Sequence, residues 1–201
     1  MKSWLVLFLA VASLGAAEIP EEGLILRLDA GRQNAARKEA KLPPIGHLQP
    51  VDWWLDSSSQ KRMAKQLSPG QRPIFVSDGE HAFLRFDGVD DFLALEARRA
   101  SLAQLTIFVL AAPKGNAGGF SALFGAAEMG RNDYTTGINF DFGPAPTTNL
   151  SVLNVESAGA GGFRDLLTPG FFNAAERPFG EFHVFTARSA PSATGVEVFL
   201  D

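Results

Sequence analysis

Ile138-Asn139-Phe140-Asp141-Phe142 alternates apolar and polar residues without a break. A period of two puts the three apolar side chains on one side of an extended chain, whereas a helix would scatter them around its circumference. The stretch therefore predicts a strand with one face in a core and the other, carrying Asn139 and Asp141, in water. That is the habit of an antiparallel sheet. The same rhythm appears at both ends of the chain. Leu24, Leu26 and Leu28 share a face opposite Arg27 and Asp29, while Val196, Val198 and Leu200 alternate with Glu197, Phe199 and Asp201. Leu105 to Ala111 is apolar on both sides apart from Thr106, and Phe182 to Ala187 behaves similarly. Both are expected to be central strands covered on two faces.

Turn chemistry separates these runs. Asp87-Gly88, Pro113 to Gly119 and Gly143 to Pro146 combine residues that accept positive φ, fix φ, or bond their own backbone. Many strands with such punctuation indicate an all-β sandwich or barrel. One helix is expected, Ala30 to Lys41, which is rich in Ala, Arg, Lys and Glu and is stopped by Pro43-Pro44. It lacks an apolar stripe, so it reads as a surface excursion whose Arg37, Lys38 and Lys41 face solvent. Residues 57–72 read as irregular and polar. The result is a long insertion, residues 30–72, after the first strand.

The N-terminus has the layout of a secretory leader: Lys2, an apolar run from Trp4 to Leu14, then Gly15, Ala16 and Ala17. Cleavage after Ala17 would leave residues 18–201, a size suited to one domain with its own core. The run is too short to span a bilayer, so no membrane insertion is expected after cleavage. The chain is thus expected to be secreted, periplasmic or held at the cell surface. Cysteine is absent, so burial rather than disulfides must supply stability, and thiol catalysis and Cys-bound zinc are excluded. Lys and Arg number 18 against 22 Asp and Glu, a net charge of −4. A mildly acidic chain whose basic residues cluster only at Arg37, Lys38 and Lys41, interleaved with Glu39, does not suit nucleic acid or an anionic membrane surface.

Gly23 to Ala30 reads GLILRLDA, and Trp54-Leu55-Asp56-Ser57-Ser58 is followed by Arg72-Pro73-Ile74-Phe75. Leu84-Arg85-Phe86-Asp87-Gly88-Val89-Asp90-Asp91-Phe92-Leu93 comes next, then Leu105 to Leu110, Glu181 to Arg188 and Val196 to Asp201. In this order the stretches are similar to bacterial laminin-G-like domains of the concanavalin A-like lectin and glucanase superfamily. Leu84 to Leu93 is the most specific match, and Phe182 stands where the family carries Trp. The resemblance implies an antiparallel jelly-roll sandwich of two sheets. Such domains continue past the point reached at Asp201, so a domain incomplete at its C-terminal end is expected.

Asp87, Asp90 and Asp91 are the densest acidic cluster, and three carboxylates so close could coordinate Ca2+ with help from loop carbonyls. The resemblance adds that laminin-G domains hold calcium at one rim. The simpler reading is a hairpin turn, since Asp-Gly between strands supplies positive φ and a local backbone bond. Asn132, Asp133 and Asp141 offer further candidate oxygens on separate segments. For ligand binding the candidates are Trp53, Trp54 and Tyr134. Adjacent Trp53 and Trp54 point to opposite faces of an extended chain, so one can enter the core while the other stacks on a sugar ring. The remaining aromatics are mostly Phe, which weakens a lectin reading. His183, inside an apolar strand, reads as a core histidine, and His47 and His81 as exposed loop residues.

No catalytic residue is assigned. Concanavalin-like glucanases place carboxylates on one strand as Glu-x-Asp-x-x-Glu, and no Glu here is followed two positions later by Asp. No nucleophile elbow, zinc-protease motif or phosphate loop is present. The expectation is a non-catalytic module that binds a glycan or an extracellular protein as part of a larger exported protein. The alternatives are a divergent polysaccharide-active enzyme whose carboxylates come from different strands, and a structural β-spacer.

Overall fold

Antiparallel ladders dominate the computed structural model, which describes residues 19–95, 104–128, 130–131, 137–150, 152–157, 177–189 and 196–200. The fold is all-β with one short α-helix among the described residues. The chain divides into two compact units, the first ending at Arg98 and the second beginning at Arg99. The leader, residues 1–17, lies outside the described residues.

In the first unit, β1 (Trp53–Leu55), β2 (Met63–Lys65) and β5 (Ala94–Leu95) form one sheet, and β3 (Ile74–Ser77) pairs with β4 (Ala82–Arg85) in another. Ile45, Val51 and Phe75 are its buried core, with Trp54, Ala82 and Leu84 packed against them. The predicted helix is present as a 3-10 turn, Ala30–Arg32, running into α1 (Gln33–Glu39). Asp29 caps the turn by accepting from the Gly31 N–H at 3.0 Å.

Its attachment differs from the expectation. Gln33 and Arg37, one helical turn apart, are both buried. The Gln33 amide acts as a neighbouring strand would: its Nε2 donates to the Trp53 carbonyl at 3.2 Å, and its Oε1 accepts from the Leu55 N–H at 3.0 Å. Arg37 donates to the carbonyls of Pro43 and Trp53 and to Asp52. A helix without an apolar stripe is therefore docked by polar side chains that satisfy the edge of β1. Of the basic cluster only Lys38 and Lys41 face solvent.

Two more expectations change in this unit. Leu24 to Asp29 is not a strand: it contributes the single bridge Leu28 to Asp56. Its backbone is claimed by the next loop instead, since the Arg27 N–H donates to the Asp56 carboxylate and the Arg27 carbonyl accepts from the Ser57 N–H. Residues 57–72 are not wholly irregular, because they contain β2.

The second unit holds two three-stranded sheets. One has the order β11 (Val196–Leu200), β10 (His183–Ser189), β6 (Leu105–Ala111), and the other β7 (Ala122–Ala126), β8 (Ile138–Asp141), β9 (Asn154–Ser157). Both feed one core. Ile138, Phe140, Phe142, Leu150, Leu153 and Val155 meet Phe185 and Ala187 there, with Leu105, Ile107, Val109, Val198 and Leu200 packed around them. Phe140 and Phe142 each stand edge-on to Phe185, the favoured geometry for the ring quadrupoles. Gly118 adopts φ +83° where an added Cβ would lie 2.7 Å from the Pro144 carbonyl oxygen, so only glycine fits that crossing.

The expectation of doubly covered strands is overturned. Among the described residues β6 pairs only with β10 and is an edge, and along it half-buried and exposed residues alternate. Phe108 and Leu110 are 71% and 68% exposed. β10 is central in its sheet, yet Val184 faces outward as well. An apolar run without polar interruption carries no sign of which face is covered, so period alone could not separate these cases.

Candidate functional site

The Asp87 to Asp91 loop leaves β4 and enters β5, two strands that do not pair with each other. It is thus a crossing between two sheets and not the hairpin turn that Asp-Gly suggests. Gly88 has φ +76°, the conformation for which glycine is suited. Asp87 organises the loop. Its Oδ1 accepts from the backbone N–H groups of Val89, Asp90 and Asp91 at 2.8, 3.2 and 3.3 Å, while its own N–H donates to Asp91 Oδ2 at 2.9 Å. The Val89 N–H, followed by the other loop amides, holds the Asp87 carboxyl below the ordinary carboxylate range.

Carboxylate oxygens of Asp87, Asp90 and Asp91 come within 4.8 Å of one another. That is close enough to share a cation, and it places the three residues together as the sequence proposed. Asp87 and Asp90 are exposed and Asp91 half-buried. One oxygen of Asp87 is already occupied with turn amides, so the loop is held in shape by its own hydrogen bonds.

Trp53 and Trp54 sit on β1 with their side chains half-buried. Trp54 packs against the core of the first unit and its indole Nε1 is buried without a hydrogen-bond partner among the described residues. Trp53 contributes its carbonyl to α1, accepting from Gln33 and Arg37. Tyr134 lies outside the described residues, as do Asn132 and Asp133. His183 is buried on β10 with its ring edge-on to Phe185. His47 accepts the Ser77 N–H, and His81 lies 3.6 Å from Asp78 on an exposed turn.

The sequence reading missed the polar face of β8 and β9. Asn139 and Asp141 were expected in water, but both are buried. The register pairs Asn139 with Glu156 and Asp141 with Asn154, so the four residues project from one face of the ladder. Exposures of 6, 0, 1 and 5% for Asn139, Asp141, Asn154 and Glu156 show that this face is closed to solvent. Asp141 lies at its centre. Its Oδ2 accepts from the side-chain amides of Asn139 and of Asn154, the latter at 3.2 Å, and its Oδ1 accepts from the Gly143 N–H at 2.6 Å. A signal was available: the positions on this face are Asn, Asp, Asn and Glu, with none of the Lys, Arg or Thr that a wet face usually mixes in. Comparison of the chain with family models, with curated proteins and with solved structures finds no match.

Proposed function

We propose that this chain is an exported, non-catalytic recognition module with a laminin-G-like jelly-roll sandwich in its second unit, and that it binds a protein. The observation that carries this reading is the outer face of β6, β10 and β11. Val184 stands opposite Leu110, and Phe108 and Phe199 flank the half-buried Thr186, so exposed apolar side chains gather on one face across three strands. Scattered apolar residues are ordinary on a surface, whereas a contiguous patch marks a place where another surface docks. The strip ends in a polar row with exposed Thr106 and Arg188.

Its chemistry favours a protein over a glycan. Phe, Leu and Val offer desolvation but no hydrogen bonds, while sugar recognition relies on Trp and Tyr with polar groups beside them. The resemblance in Leu105 to Leu110, Glu181 to Arg188 and Val196 to Asp201, together with two sheets feeding one core, supports the sandwich. The enzymatic alternative asks for carboxylates from different strands, and Asp141 and Glu156 meet that description. Their burial leaves no access for a polysaccharide.

The test is binding of the full chain to extracellular proteins and to a glycan array, with Phe108→Ser plus Phe199→Ser as the variant. Loss of a saturable protein ligand at unchanged Tm supports the reading. Glycan binding that survives the double substitution overturns it, and so does the absence of any saturable ligand, the outcome expected of a structural spacer.

A further inference from the structure

The closed polar face of β8 and β9 is a site in its own right, independent of the exposed strip. Its four side chains form a rectangle, with Glu156 opposite Asn139 and Asn154 opposite Asp141. The two carboxylates therefore occupy one diagonal and the two amides the other. Its sides are about 5 Å across the ladder and about 7 Å along it, set by strand spacing and by the two-residue rise.

The amides show that this arrangement is unfinished as a hydrogen-bond network. Both use their nitrogens on Asp141 Oδ2. The Oδ1 atoms of Asn139 and Asn154 are buried and have no hydrogen-bond partner among the described residues. A buried amide oxygen left without a donor is costly, and native interiors seldom tolerate two on one face. What can satisfy them must be electron-poor, small enough for a closed site, and compatible with carboxylates. A sugar ring needs an open concavity, and these residues are at most 6% exposed. Every available ligand atom is oxygen, the donor set of a hard cation and not of zinc or copper.

We propose that this face holds a divalent cation of the calcium class, ligated by Asn139 Oδ1, Asn154 Oδ1 and the carboxylates of Asp141 and Glu156. Calcium accepts six to eight oxygens at about 2.3–2.6 Å in adaptable geometry, so carbonyls or water complete the shell. The ion joins β8 to β9 on the face opposite the apolar core and stiffens that sheet.

Asn154→Asp separates this proposal from a purely structural network, because the two predict opposite signs. A third carboxylate strengthens a cation site and weakens a site without one. Thermal unfolding of the full chain in calcium chloride and in chelator is the measurement. The wild type is expected to gain Tm in calcium, and Asn154→Asp to lose Tm in chelator while gaining more from calcium than the wild type. A triple change in the exposed loop, Asp87→Asn with Asp90→Asn and Asp91→Asn, is expected to keep the calcium response. Should Asn154→Asp not fold, calcium titration by calorimetry of Asn139→Ala plus Asn154→Ala decides, with affinity expected to fall about tenfold or more. The proposal is overturned by a wild type indifferent to calcium, by loss of the response in the loop variant, by equal loss of Tm in both media for Asn154→Asp, or by unchanged affinity in the double alanine variant.

Discussion

Asp56 in the first unit and Asp141 in the second are both fully buried carboxylates, and their surroundings differ in one respect. Asp56 Oδ1 accepts from the Arg27 and Ser58 N–H groups, each at 2.8 Å, and its Oδ2 accepts from Ser58 Oγ at 2.8 Å and the Arg62 N–H at 3.1 Å. Three of those donors are backbone amides, which carry no further group needing a partner, and Ser58 Oγ accepts in turn from the Gln60 N–H. The network is closed. Two of the donors to Asp141 are side-chain amides whose oxygens have no hydrogen-bond partner among the described residues. The first carboxylate ties a loop; the second sits in a network with unpaired amide oxygens, where the proposed cation would act.

Asp56→Ala should therefore give the largest loss. It strands the amides of Arg27, Ser58 and Arg62 in a buried place, and at about 1–3 kcal/mol for each unsatisfied group the cost should reach about 3 kcal/mol or more. Denaturant unfolding at neutral pH measures it. A cost under about 1 kcal/mol would show that the loop can re-pair its amides with water. The pH dependence carries a definite sign. Burial pushes the Asp56 carboxyl up, but the amides of Arg27 and Ser58, the Ser58 hydroxyl and the Arg62 amide together outweigh it and hold the carboxyl below its ordinary value. A depressed folded pKa contributes stability above the unfolded carboxylate value of about 4, and that contribution disappears as pH falls through the folded value. The gap between wild type and Asp56→Ala should thus be full at neutral pH and should narrow in acid.

Asn154→Leu, a swap between side chains of similar shape, probes the open network. It removes a hydrogen bond to Asp141 and at the same time removes a buried oxygen that has no donor among the described residues. The two terms oppose each other, so in chelator the net loss should stay below about 1 kcal/mol, well under that of Asp56→Ala. In calcium the same variant should lose more, because a ligand is missing. Equal losses in the two media would make the face a plain polar network and align Asp141 with Asp56.

Much of the fold was legible where polar and apolar residues alternate. Ile138, Phe140 and Phe142 point to the core as their spacing requires, and the strands at Val196 to Leu200 and His183 to Ser189 form where the pattern falls. What the spacing could not give was the environment of the opposite face. Asn139 and Asp141 look the same in sequence whether water or other residues cover them, since period two separates faces without saying what lies beyond either. Arg37 was misread for a related reason. A guanidinium with the carbonyls of Pro43 and Trp53 within reach can be buried without apolar neighbours, and nothing near it in sequence reveals those partners. The acidic loop was the reverse case: its three carboxylates were found because proximity in sequence becomes proximity in space within a tight turn.

That loop supplies the smallest expected effect and the control for the comparison. Asp87, like Asp56, accepts from three backbone amides, and those bonds likewise hold its carboxyl below the ordinary range. By a count of backbone amides alone the two residues should matter alike. They differ in exposure, for the amides freed by Asp87→Ala can turn to water, while those freed by Asp56→Ala cannot. Asp87→Ala should then fall within the scatter of ordinary surface substitutions, with only a faint acid dependence of the same sign as that of Asp56. A loss as large as that of Asp56→Ala, measured in the same denaturant series, would mean that the crossing between β4 and β5 holds the first unit together through turn geometry and not through burial. In that event the exposed loop, and not the buried knot, would be the stabilising feature against which Asp141 has to be judged.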